Sequence, residues 1–159
     1  MIDVDEITYG ELIASGVNLT VVADLNRLLP QLSLSAIGPL TRYRIIHEIL
    51  GSSTRVFAAR HRGHIVGIVL LVSAQLLVGQ RDRIEDVVVD AEYRRLGISS
   101  CLMALAEDAS AMGPSPYVDL TSKPERSGAR AMYVGRGYVV RNTAVFRFVH
   151  KRPPASEAR

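Results

Sequence analysis

One stretch constrains this chain more than any other. Ile84-Glu85-Asp86-Val87-Val88-Val89 runs through Asp90-Ala91-Glu92-Tyr93-Arg94-Arg95-Leu96-Gly97-Ile98-Ser99-Ser100 into Cys101-Leu102-Met103-Ala104-Leu105-Ala106. The valines read as a strand buried on both faces, and Ile98 to Met112 as a helix with Gly97 at its entry. A valine strand that runs through a short loop into a helix fits a mixed α+β sheet, antiparallel first and crossing over later.

The rest of the chain supplies that sheet. Met1 to Leu12 alternates weakly and predicts an edge strand. Val21, Val22, Leu25, Leu28, Leu29 and Leu32 form one apolar stripe of a helix over Val17 to Leu32, with Asn18 or Thr20 as cap and Pro30 marking its end. Ser33 to Pro39 reads as a loop and Leu40 to Leu50 as a short helix closed by Gly51. Thr54 to Ala59 and His64 to Leu77 form a hairpin about Arg62-Gly63, followed by a strand from Arg83 to Val89 after a turn at Gly79 and Gln80. Beyond the Ile98 helix come a strand (Tyr117 to Thr121), a helix (Ser127 to Gly135) and two further strands (Tyr138 to Val140, Ala144 to Val149). The expected class is α+β: a mixed, mostly antiparallel central sheet flanked by helices, in one domain over residues 1–149, with 150–159 as a flexible tail.

Charge narrows the partners. Of 19 basic residues 17 are arginine, scattered singly, while residues 1–26 hold five acids and no base, leaving +8 from Arg27 onward. With no basic stripe, nucleic acid is not an expected partner. Arginine forks suit a small phosphate-bearing ligand, and the acidic start suits a cationic one. Cys101 is the single cysteine, which excludes an internal disulfide and points to a reducing, cytoplasmic setting; it is expected to pack within its helix. His47, His61, His64 and His150 lack metal-ligand spacing, so no metal is expected. No signal-like opening and no uninterrupted apolar span are present, so membrane association is not expected.

The loop Arg94-Arg95-Leu96-Gly97-Ile98-Ser99 has two readings. It is either an ordinary strand-to-helix turn with a capping serine, or an anion cradle in which first-turn N–H groups and the helix dipole face a phosphate. A second element bears on the choice: Ala129-Arg130-Ala131-Met132-Tyr133-Val134-Gly135-Arg136-Gly137-Tyr138, with small residues on a short helix, a tyrosine near its end and a glycine-aromatic pair after it.

Together the two elements resemble the GNAT superfamily of acyl-CoA-dependent N-acetyltransferases. The first is similar to the family's Arg/Gln-x-x-Gly-x-Gly/Ala cofactor motif, the second to its Ala-x-x-x-Tyr-x-x-x-Gly-Phe/Tyr signature, and the order of elements is similar over about residues 2–149. The resemblance implies that acetyl-CoA is the acyl donor, and that the backbone of Val87, Val88 and Val89 pairs with its pantetheine arm in a cleft where the next strand splays away. It also implies that Arg94, Arg95, Leu96, Gly97, Ile98, Ser99 and Ser100 wrap the pyrophosphate. Tyr133 would protonate the departing thiolate, since a phenol with a pKa of about 10 is neutral at pH 7. A backbone N–H near Val87 or Val89 would polarise the thioester carbonyl.

The acceptor, a small-molecule or peptide amine, needs a base. Glu85 is the first candidate, with Asp86 on the opposite face by strand alternation and Asp119, beside Thr121, as runner-up; each also suits an ion pair with Arg81 or Arg83. Two departures from the family pattern stand out. Ser99 replaces the commoner glycine or alanine, and Arg126 occupies a position where an asparagine is common, placing an arginine within reach of a cofactor phosphate. The Ile-Glu-Asp-Val-Val-Val run resembles that of small-molecule amino-sugar acetyltransferases. A second copy of the chain as partner is left open, as are two other functions: a catalytically inactive coenzyme A-binding or sensing module, and a nucleic-acid-binding regulator.

Overall fold

In the computed structural model, which describes residues 1–13, 17–33 and 38–150, the chain divides into two compact units, Met1–Thr121 and Ser122–Arg159. The first unit holds a five-stranded sheet in the order β1 (Ile2–Glu6), β2 (Thr54–His61), β3 (His64–Leu76), β4 (Gly79–Val89), β5 (Val118–Leu120). The first three pairings are antiparallel, and β4–β5 is parallel, reached through helix α3 (Ile98–Ala111). A parallel neighbour requires such a crossover, which the valine-loop-helix order fits.

Arg62 and Gly63 close the β2–β3 hairpin with φ of 51° and 81°, the pair of positive angles that matches the twist of paired strands. The β3–β4 turn falls at Leu77-Val78, with Leu76 opposite Gly79, so β4 begins earlier than Arg83. The expected strand over residues 1–12 ends at Glu6. Thr8 Oγ1 then accepts the Glu11 N–H at 3.2 Å and starts helix α1 (Tyr9–Ile13), a local hydrogen bond that outcompetes weak alternation.

Helix α2 (Val17–Leu32) runs through Pro30, which stands in its last turn, where the missing N–H forfeits one intrahelical bond. Because α2 begins at Val17, Thr20 lies inside it and does not cap it. The side chain of Asn18 and the loop residues 34–37 lie outside the described residues, as does the expected tail from residue 151. A wide π-type helix occupies Arg44–Leu50 and ends at Gly51, whose φ is an ordinary −74°. Glycine is needed there for space: a Cβ would sit 2.7 Å from the His47 carbonyl oxygen.

Leu12 of α1, Val21, Leu25 and Leu28 of α2, and Ile45 and Ile46 pack on Val56, Ala58, Ile65, Ile68 and Val88 of the sheet. The alternate strand residues, including Val69, Leu71 and Ile84, are buried on the face covered by Leu102, Met103 and Ala106 of α3. Each fully buried aliphatic stabilises by about 1.5–3 kcal/mol.

At the far end of α3, Asp82 is buried at 1% exposure. It accepts hydrogen bonds from Ser110 Oγ at 2.6 Å and Gln80 Nε2 at 2.9 Å. Burial alone would raise its carboxyl; the bonds from Ser110, Gln80 and Ser73 outweigh burial and hold it below the ordinary range. Its contribution to stability is therefore present above the unfolded value near pH 3.9 and lost as pH falls through the lower folded value. Ser110→Ala removes one of these bonds to a buried carboxylate, and urea unfolding is expected to show a loss of about 1–3 kcal/mol, with the acid-unfolding midpoint moved to higher pH.

The second unit contains helix α4 (Ser127–Gly135), as the sequence predicts. The two strands expected over Tyr138 to Val140 and Ala144 to Val149 do not form: no ladder pairs them among the described residues, and Val139, Val140, Val145, Phe146, Phe148 and Val149 are exposed. Alternation gives a segment two faces but does not supply a neighbour, and a strand is defined by its neighbour.

Candidate active site

The register of β4 breaks in its middle. Leu70 opposes Glu85 and Ile68 opposes Val88, so Val69 faces both Asp86 and Val87 across a β-bulge. Asp86 occupies the left-handed region at φ 49°, a conformation that costs a non-glycine residue energy but that Asp and Asn tolerate best. Simple alternation therefore fails here. Partners across an antiparallel ladder share a face, so Glu85 lies on the side of Leu70, which packs against the α2 core.

The two carboxylates at the bulge differ. Glu85 Oε1 accepts from Arg83 Nε at 3.1 Å, the ion pair the sequence had offered as its other role. Asp86 is exposed at the bulge, and its carboxyl is raised above the usual value by partial desolvation first and then by the Glu85 charge beside it. A raised carboxyl is a stronger base once ionised. Asp119 sits opposite Arg83 in the short β4–β5 pairing.

That pairing involves only Asp82, Arg83 and Ile84 of β4. From Glu85 to Val89 the same edge has no strand partner among the described residues, so those backbone groups of the Val87–Val89 stretch that point away from β3, by alternation those of every second residue, face an open edge where another extended chain could pair; one of the stretch's carbonyls, that of Val89, also accepts from Arg94 Nε. The edge leads into a 3₁₀ turn at Ala91–Tyr93 and then to α3. Gly97, at φ 78°, is the N-cap and no side chain caps the helix. The capping-serine reading thus fails: Ser99 and Ser100 lie in the first turn. Arg95, at φ 64°, is the other left-handed residue of the loop. Uncapped first-turn N–H groups, a glycine at the close approach and an exposed arginine fit a pyrophosphate. Arg94 is turned back, with Nε donating to the Val89 carbonyl at 3.0 Å and Nη2 to Gln31 Oε1 at 3.3 Å.

In the second unit, α4 starts at Arg126 without a side-chain cap and carries half-buried Tyr133. Burial raises the phenol above its ordinary value, and the charge of Arg126 opposes this only in part. The helix ends in a Schellman arrangement: Tyr138 N–H donates to the Tyr133 carbonyl at 3.0 Å and Gly137 N–H to the Val134 carbonyl at 3.0 Å, with Gly137 at φ 96°. The same cap brings the rings of Tyr133 and Tyr138 to 5.9 Å, edge to face. The spacing from Tyr133 to Gly137-Tyr138 is thus a helix stop that fixes the tyrosine.

Several other expectations change. Cys101 is exposed and not packed in its helix. The acidic start is partly neutralised: Arg60 pairs with Asp5 and Glu11, Arg55 with Glu6, and Arg27 with Asp24, so four of its five acids share three arginines and less negative charge is offered to a cation. Among the described residues no group of three or more His, Cys, Asp or Glu is placed to hold a metal, and no helix is long and apolar enough to cross a membrane. A concavity of about 450 Å³ lined by Glu6, Thr8, Tyr9, Ser53 and Ser73, among others, lies off the bulge. The bulge itself escaped sequence reasoning; the one signal for it was an aspartate, a residue tolerant of positive φ, next to the valine run.

Comparison with known proteins defines the class of molecule. The profile of the acetyltransferase (GNAT) domain matches residues 40–148, and the chain belongs to this family of acetyltransferases. Among solved structures, an acetyltransferase from Trypanosoma brucei is 19% identical, covering 94% of this chain and 100% of that one at a TM-score of 0.74. An aminoglycoside acetyltransferase from an uncultured soil metagenomic sample, in complex with sisomicin, is 14% identical over 95% and 97%, with a TM-score of 0.77. Glucosamine-6-phosphate N-acetyltransferase from Arabidopsis thaliana is 18% identical over 94% and 99%, with a TM-score of 0.70. These likenesses establish the fold. No curated protein matches the sequence.

Proposed function

We propose that the protein is an N-acetyltransferase that moves the acetyl group of acetyl-CoA to a primary amine within a ternary complex, without a covalent enzyme intermediate. The observation that carries this reading is the unpaired β4 edge from Glu85 to Val89 leading into the uncapped start of α3. The donor, when bound, supplies a thioester whose C–S bond breaks as the C–N bond forms.

The chain's residues do the rest. Val87, Val88 and Val89 hold the pantetheine arm by backbone hydrogen bonds, and a bulge N–H polarises the carbonyl. Arg95, Leu96, Gly97, Ile98, Ser99 and Ser100 surround the pyrophosphate, with Arg94 behind them, and Arg126 meets a cofactor phosphate. An amine arrives protonated, with a pKa of about 10.4. The Glu85–Asp86 pair takes that proton; Glu85 is tied to Arg83, and Asp86 has its carboxyl raised above its ordinary value. Tyr133 donates its proton to the departing thiolate. The likeness to an aminoglycoside acetyltransferase and to glucosamine-6-phosphate N-acetyltransferase supports small-molecule amines, amino sugars first, as acceptors. The lone cysteine supports a cytoplasmic setting.

Thermal unfolding with acetyl-CoA and with free coenzyme A tests the reading. Both are expected to raise the midpoint, since a ligand at 100 times its Kd adds about 2.7 kcal/mol; no shift with either sinks the proposal. Release of free thiol across an amine panel then identifies the acceptor.

A further inference from the structure

The loop that leads into the cradle is held from outside, by helix α2. Asp24, Arg27 and Gln31 are spaced three and four apart, so they form one polar edge of α2 beside its apolar stripe. Arg27 Nη1 bonds the buried Asp90 Oδ2, Arg27 Nη2 donates to the Ile65 carbonyl at 2.7 Å, and Asp24 Oδ2 accepts the Ile65 N–H at 2.8 Å. One turn on, Gln31 Oε1 accepts both the Ala91 N–H at 2.8 Å and Arg94 Nη2 at 3.3 Å. Asp90 in turn caps the 3₁₀ turn by accepting the Glu92 N–H at 3.2 Å. The end of β4, the turn and Arg94 are thus fastened to two side chains of one helix.

We propose that Arg27 and Gln31 are positioning residues that preform the acyl-CoA loop, so that affinity for the donor depends on α2 even though neither side chain need touch it. The inference rests on the proposed acetyl-CoA site. The physical reason is preorganisation: Ala91–Leu96 is exposed apart from the partly buried Tyr93 and has few apolar contacts to fix it. A loop left free by loss of its tethers must be ordered when ligand binds, at the expense of affinity.

Gln31 separates this role from a merely structural one, because its amide serves the loop only as an acceptor. Gln31→Met removes the acceptor and keeps the side-chain bulk; Gln31→Glu keeps an oxygen for both donors. Calorimetric titration with coenzyme A and with acetyl-CoA, alongside urea unfolding of the free proteins, is the test. Gln31→Met is expected to weaken binding about tenfold, equivalent to about 1.4 kcal/mol, with the unfolding midpoint little changed, and Gln31→Glu to bind as the unaltered protein does. Arg27→Met is expected to weaken binding at least as much, with some loss of stability.

If Gln31→Met binds as tightly as the unaltered protein, or if Gln31→Glu loses as much as Gln31→Met, the inference is wrong while the proposed function stands. If the unaltered protein binds neither ligand, the proposed function falls, and this inference with it.

Discussion

Asp86→Asn is expected to cut turnover by a factor of about 10² to 10⁴, the usual worth of a positioned proton acceptor, while leaving the protein at least as resistant to urea. The two halves of that result have one cause. Asp86 sits at φ 49° in the bulge, exposed but partly desolvated and beside the Glu85 charge, so the cost of its ionisation is small and screened by solvent. Since its folded carboxyl titrates above the unfolded value, ionisation costs stability from about pH 3.9 upward until the folded group is fully charged. Asparagine removes that cost and adopts positive φ as readily. Equal stability at pH 3 and at most a small advantage for the variant at pH 7, reduced by added salt, is the expected pattern.

Glu85→Gln supplies the control. It removes the like charge that helps raise Asp86, so the acid limb of kcat/KM is expected to move to lower pH, with only a modest loss of rate. Full turnover by Asp86→Asn would exclude this residue as the base. A collapse of Glu85→Gln with Asp86→Asn active would return the role to Glu85.

The contrast between these neighbours shows what the sequence could and could not say. Helices α2, α3 and α4 and the Arg62-Gly63 hairpin were legible because each is encoded locally, by a stripe, a terminal glycine or a turn pair. The glycine loop and the Ala129-to-Tyr138 signature were legible for the same reason. The bulge was not: it is a property of the β3–β4 register, and nothing within β4 alone forces the extra residue. The Arg27–Asp90 tie joins positions 63 apart, and the pairing of the acidic start with Arg55 and Arg60 joins positions about 50 apart. Composition saw those charges only as an imbalance. At the other end, alternation over 138–149 promised strands, but pairing depends on a neighbour that local sequence does not specify.

Tyr133→Phe is expected to lower kcat by about 10² to 10³ while leaving coenzyme A affinity unchanged, because in the proposed mechanism the hydroxyl acts on the departing thiolate, while the ring keeps its contact with Tyr138. The edge-to-face contact with Tyr138 and the Schellman cap both survive the substitution, so stability at pH 7 is expected to stay within about 0.5 kcal/mol. A phenol raised by burial stays protonated at neutral pH. Its contribution to stability is therefore complete below the unfolded value near pH 10 and lost as pH rises through the higher folded value; the phenylalanine variant should lack that alkaline loss. In rate, the unaltered enzyme should show no basic limb from Tyr133 below about pH 10. Amines whose acetylation is limited by thiolate departure should suffer most from the variant, and those limited by their own deprotonation least. A variant that kept full kcat across the panel would remove Tyr133 from the mechanism and leave water as the proton source for the thiolate.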